Sequence, residues 1–143
     1  MARTTLFAIG LFATLLCACI PSPAEQSHRI VITSGVDGQN RPLDNRERFS
    51  FDDSRIYVYV QLLNITTEEH DFHVEAFDGN DERVWVSGQR FTPTDRSWNI
   101  WSWHRFDPVL EAPGTWTIEI YLDGMYLDSV RIPVARSRQD AAV

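Results

Sequence analysis

The chain contains no lysine, so all 13 of its basic side chains are arginine. It has only two cysteines, Cys17 and Cys19. Both stand ahead of the part that reads as folded. No disulfide can therefore cross-link that part, and a buried apolar core must hold it together. No run of about 20 apolar residues is present, which leaves no transmembrane helix. There is no glycine-rich phosphate loop and no Gly-x-Ser-x-Gly elbow, so two common catalytic frameworks are missing. Positive charge is scarce beside negative: 20 acidic residues give a net charge of -7. Such a surface argues against nucleic acid or anionic lipid headgroups as the main partner. No cofactor is implied.

What is present begins with a leader. Arg3 supplies a basic start, and Thr4 to Leu16 supplies an apolar stretch of secretory-signal length. It ends in Leu16-Cys17-Ala18-Cys19. This tetrapeptide resembles the lipobox of bacterial lipoproteins. The resemblance implies a signal peptide over 1–18, cleavage before Cys19, and acylation of the Cys19 thiol. More than one acyl chain is needed for stable anchoring. Ile20, rather than Asp, follows the cysteine, which implies the outer membrane of a bacterial cell envelope. The other reading is a plain signal peptide cut after Ser22-Pro23-Ala24. Residues 19–27 contain Pro21 and Pro23 and read as a tether.

From His28 to Val134 the pattern is one of short strands and turns. Ile30 to Thr33 is a first strand, and Ser34 to Arg48 a long loop. Ile56, Val58, Val60 and Leu62 alternate with Tyr57, Tyr59 and Gln61, the period of a half-buried strand. Phe72, Val74 and Ala76 do the same, followed by an Asp78-Gly79-Asn80-Asp81 turn into Arg83–Val86. Ser97 to Arg105 is another strand. Trp116, Ile118, Ile120 and Leu122 form the next, and Asp123-Gly124 predicts a tight hairpin into Met125–Val134. Residues 135–143 read as a flexible tail. No convincing amphipathic helix and no repeat appears. The expectation is an all-β protein, an Ig-like β-sandwich of about seven antiparallel strands in a single domain, without the Cys…Trp…Cys signature of true Ig domains and with a small open barrel as the alternative.

Several segments carry a second resemblance: Phe51 leading into Tyr57-Val58-Tyr59-Val60, Trp101-Ser102 with Arg105, Pro113-Gly114-Thr115-Trp116, and Asp123-Gly124. Over roughly residues 49–134 the chain resembles uncharacterised Ig-like domains of the bacterial envelope. That resemblance implies a non-enzymatic module.

Three groups of residues are candidates for chemistry. Asp71, His73 and Glu75 share one face of a strand and are weak metal-ligand candidates, while His70 points the other way. A metal site needs three or four converging ligands, and no third histidine is at hand, so no metal is expected. Ser102, His104 and Asp107 sit too close along one strand to converge as a triad, so no enzyme is expected. Trp98, Trp101 and Trp103 are the third group. Trp101 and Trp103 share one face and Trp98 and Ile100 the other, and only one face of a sandwich sheet is buried. One reading packs Trp101 and Trp103 beneath the Ser34–Arg48 loop. The other leaves indoles exposed as a binding patch. Trp98, Trp101, Trp103, His104, Tyr57 and Tyr59 are its candidate residues, with Tyr121 joining if its strand is a neighbour. The expected function is that of a lipid-anchored binding module, an accessory or structural component of an envelope protein assembly. The alternative ligand is a carbohydrate such as peptidoglycan.

Overall fold

A computed structural model describes residues 24–140. The leader and Cys19 lie outside the described residues. Eight strands follow one another: β1 Ser27–Thr33, β2 Phe49–Ser50, β3 Arg55–Leu63, β4 His70–Phe77, β5 Arg83–Phe91, β6 Ser97–Arg105, β7 Gly114–Leu122 and β8 Met125–Ala135. They form two sheets, β1-β3-β6 and β2-β8-β7-β4-β5, packed as a sandwich. The seven longer strands pair antiparallel. The two-residue β2 is the addition, and it runs parallel to β8.

The core follows from the alternation. Ile56, Val58, Val60 and Leu62 of β3 face Phe72, Val74 and Ala76 of β4 and Trp116, Ile118 and Ile120 of β7 across the interior. Each large apolar side chain buried this way contributes about 1.5–3 kcal/mol. β5 runs on to Phe91, beyond the apolar Arg83–Val86 stretch that marks it in the sequence. It is an edge strand, so its second half is half solvated and carries Ser87, Gly88, Gln89 and Arg90 instead of a hydrophobic period.

Two turns are set by local chemistry. Asp123 (φ 53°) and Gly124 (φ 75°) both take the left-handed region that the two-residue β7–β8 hairpin requires. At the other end, Asp78 accepts hydrogen bonds from the N–H groups of Asn80 (2.8 Å), Glu82 (3.1 Å) and Ala112 (2.7 Å). Burial opposes its charge, but these three donors outweigh it and hold the carboxyl below the usual range. The bonds tie the β4–β5 turn to the β6–β7 loop. Gly79 is needed there, because a Cβ would meet the Pro113 carbonyl oxygen at 1.9 Å.

The loop after β1 is pinned rather than loose. Asp44 accepts from Thr33 Oγ1 (2.7 Å), Ser34 N–H (2.8 Å) and Ser34 Oγ (2.7 Å). Arg46 N–H donates to the Ile32 carbonyl at 2.8 Å. Past β8, Arg138 N–H donates to Asp52 Oδ2 at 2.9 Å.

Candidate functional site

In the three-stranded sheet β3 is central. Its register aligns Thr33, Tyr57 and Trp103 in one row and Val31, Tyr59 and Trp101 in the next. Arg55 and Arg105 make the row beyond Tyr57, and Arg29, Gln61 and Asn99 the row beyond Tyr59. Residues directly opposite share a face, so these side chains form the outer surface of the sheet. Phe106 N–H donates to the Ser54 carbonyl at 3.0 Å, one step past the Arg55–Arg105 pair. Ser102 and His104 therefore turn their backbone groups toward β3, and Trp101 and Trp103 turn theirs away. The Tyr57–Trp103 and Tyr59–Trp101 pairs are of the non-hydrogen-bonded kind, in which side chains approach more closely.

The rings use that closeness. Tyr59 and Trp101 stack with centroids 6.2 Å apart and planes at 13°. Tyr57 and Trp103 lie 6.4 Å apart. The Arg55 guanidinium sits 4.6 Å from the centre of the Trp103 ring, a cation–π contact. The Ser34–Arg48 loop covers the β1 side of this surface. Tyr59 donates its O–H to the Asn40 carbonyl at 2.9 Å and is buried, as are Val31 and Thr33. The loop does not cover Trp103, which is 48% exposed. A cleft of about 300 Å³ opens between the loop and Arg29, Tyr59 and Gln61.

The six aromatic candidates are thus divided. Tyr57, Tyr59, Trp101 and Trp103 come together on the outer face. Trp98 and His104 lie on the inner side of β6. Trp98 stacks on Phe91 (6.2 Å), which stacks on His70 (5.5 Å). His104 stacks on Trp85 (5.5 Å), and its Nε2 is bonded to Glu111 Oε1 at 2.6 Å. Tyr121 belongs to β7 in the other sheet, so it does not extend the patch. Arg55, Arg105 and Arg29 join the face although none is among the candidate binding residues; their strand parity, which matches that of the aromatic residues, is the signal that places them there.

The opposite outer face, on the five-stranded sheet, is closed in on itself. His73 Nε2 bonds Glu75 Oε1 at 3.0 Å, and Arg83 reaches Glu75 Oε2 at 3.6 Å. The histidine bond is the main cause that holds the Glu75 carboxyl below its usual value. Asp71 pairs with Arg90 at 3.3 Å rather than with His73. Tyr121 donates to Glu119 at 2.6 Å, which pushes its pKa up to about 12. Among the described residues no group of three or more His, Cys, Asp or Glu is placed to hold a metal ion.

The serine and histidine constellations are engaged elsewhere. Ser102 Oγ donates to Ser87 Oγ at 2.7 Å, and Asp107 Oδ1 accepts from Val109 and Leu110 N–H. His70 is a different case. Its Nδ1 lies 2.7 Å from Asp123 Oδ2, and its Nε2 lies 3.1 Å from both the hydroxyl and the carbonyl of Thr66. A carbonyl only accepts, so the Nε2 that bonds it carries a proton and is no base for the Thr66 hydroxyl. Burial disfavours the charged ring, yet the Asp123 bond and the Thr66 carbonyl raise the His70 pKa on balance. The trio is a charged latch between the β3–β4 loop and the β7–β8 turn.

No family model matches the chain, and neither does any curated protein. Among the described residues no helix is long and apolar enough to cross a membrane.

Proposed function

We propose that the protein is a non-catalytic binding module of the bacterial cell envelope, held at the outer membrane by lipid on Cys19. It contacts an envelope protein partner through the outer face of the β1-β3-β6 sheet. The observation that carries this reading is Trp103: a large indole, half exposed, stacked under Arg55 and flanked by Tyr57. Tryptophan, tyrosine and arginine are the side chains that dominate binding energy at protein interfaces. The lipobox-like Leu16-Cys17-Ala18-Cys19 supports the anchor, and the likeness of residues 49–134 to Ig-like envelope domains supports the module.

Two experiments test it. Cys19→Ala should move the protein from the membrane to the soluble fraction; continued pelleting with membranes contradicts the anchor. Gentle solubilisation and purification of the lipidated chain should bring down a stoichiometric companion, and Trp103→Ala should lose it. A companion retained by Trp103→Ala contradicts the face.

The second reading, a glycan ligand, draws on Asn99 and Gln61, whose amides lie in the row beside the rings. Asn99 Oδ1 is buried and has no hydrogen-bond partner among the described residues. Tryptophan fluorescence that shifts on titration with peptidoglycan fragments would favour it.

A further inference from the structure

The outer face of β1-β3-β6 has a charge that its protein does not. The chain has 20 acidic residues against 13 basic ones. Yet the outward strand positions carry Arg29, Arg55 and Arg105 and not one Asp or Glu. None of these three arginines makes an ion pair among the described residues; Arg55 lies over the Trp103 ring. Unpaired arginines occur elsewhere, at Arg131 for instance, but there Glu119 shares the surface. Two carboxylates of the covering loop are engaged within that loop and with the end of β1. Asp37 holds Arg41 at 3.1 Å, and Asp44 holds Thr33 and Ser34. At Arg55 and Arg105 the positive charge therefore faces outward with no ion-paired carboxylate among the described residues, whereas Arg29 shares its cleft with Asp44.

Beside that face runs an open strand edge. Among the described residues β6 pairs only with β3. On its other side the backbone groups of Asn99, Trp101, Trp103 and Arg105 point away from the sheet, by the parity given above. Among the described residues, these groups have a single partner: Gln89 Nε2 donates to the Trp101 carbonyl at 2.8 Å. A side-chain amide thus stands where the N–H of a neighbouring strand would stand. An unpaired edge of this kind is a template for an added strand.

We infer that the β6 edge and the arginine–tryptophan face together take up an extended, acidic segment of the partner protein. The segment adds as a strand beside β6. Alternate side chains of an added strand fall on the outer face, where carboxylates meet Arg55 and Arg105 beside Trp103, and the intervening apolar side chains fall on the inner side. This inference rests on the reading of that face as the binding surface and names the chemistry it selects.

The test uses the full chain in detergent micelles and a fluorescent peptide alternating glutamate and valine. The same peptide with lysine for glutamate is one control, and soluble polygalacturonate is another. The expected result is binding of the glutamate peptide alone, weakened about tenfold or more by combined Arg55→Glu and Arg105→Glu. Added salt should weaken it too, and hydrogen exchange should slow at the amides of Asn99, Trp101, Trp103 and Arg105. Equal binding of the lysine peptide, indifference to the arginine reversals, preference for the polysaccharide, or no binding of the glutamate peptide would each overturn the inference. In those cases companion loss on Trp103→Ala still upholds the face as the binding surface. If that variant keeps its companion, the underlying reading fails instead.

Discussion

One strand, β6, feeds two aromatic regions that behave in opposite ways. Its inner side sends His104 into a cluster with Trp85, Phe106 and Trp116, where Trp116 is 0% exposed and donates its indole N–H to the Ala112 carbonyl at 2.9 Å. His104 there has a buried carboxylate, Glu111, which also accepts from Asp107 N–H at 3.0 Å. Its outer side sends Trp101 and Trp103 onto a surface where Arg55 and Arg105 have no ion-paired carboxylate among the described residues and one indole stays half exposed. The residue types are nearly the same on both sides. What differs is satisfaction: in the inner cluster His104 has its carboxylate and Trp116 its carbonyl, whereas on the outer face Arg55 and Arg105 have no ion-pair partner among the described residues. An aromatic cluster with its polar partners in place stabilises a fold, whereas one without them is free to bind.

Trp116→Ala would press hardest on that distinction. It empties the centre of the inner cluster and should cost about 3–5 kcal/mol of stability in denaturant unfolding. A much smaller loss would mean that the inner rings hold little. Glu111→Ala should come next, at about 1–3 kcal/mol, because His104 Nε2 and Asp107 N–H are left without an acceptor. Unchanged unfolding midpoints would show that water replaces the carboxylate freely.

The His70–Asp123 latch tests the inner region through pH. The raised His70 pKa means its contribution is complete below the ordinary value of 6.5 and fades as pH rises through the higher folded value. Asp123 is lowered, against the opposing effect of burial, chiefly by the His70 bond, so its contribution is present above 3.8 and fades as pH falls through the lower folded value. Thermal melts should therefore show the latch at full strength between these two limits. Asp123→Asn should flatten the decline on the alkaline side; an identical pH profile would remove the latch from the account. Trp103→Ala should have the smallest effect of the series on stability, within about 0.5 kcal/mol, as expected for an exposed surface position. A loss as large as that of Trp116→Ala would erase the difference between the two regions.

Much of this was legible in the chain. Apolar alternation over Ile56–Leu62 and Trp116–Leu122 marks strands with one buried face, and Asp123-Gly124 marks the hairpin, because both signals are local. Strand parity alone separates Trp101 and Trp103 from Trp98. Parity also places His104 with Trp98, yet its neighbours in sequence are the outward Trp103 and Arg105, which hides its inward direction. Which strands lie side by side is not local. Nothing near Tyr57 in sequence announces Trp103 as its neighbour, and nothing near Tyr121 announces that its strand joins the other sheet. The same holds for Glu111, a loop carboxylate whose tie to His104 exists only once β6 and β7 are placed. Arg55 and Arg105 are each two positions from an outward ring, but a whole-chain charge of -7 conceals a local excess of the opposite sign.

The most direct test of the central claim is site-specific photocrosslinking in intact cells. One photoreactive side chain replaces Trp103 on the three-stranded sheet, and another replaces Val86 on the five-stranded sheet. The two positions are matched in exposure, at 48% and 54%. The account predicts a discrete protein adduct from position 103 and none from position 86. Equal adducts from both positions, or an adduct from position 86 alone, would contradict it.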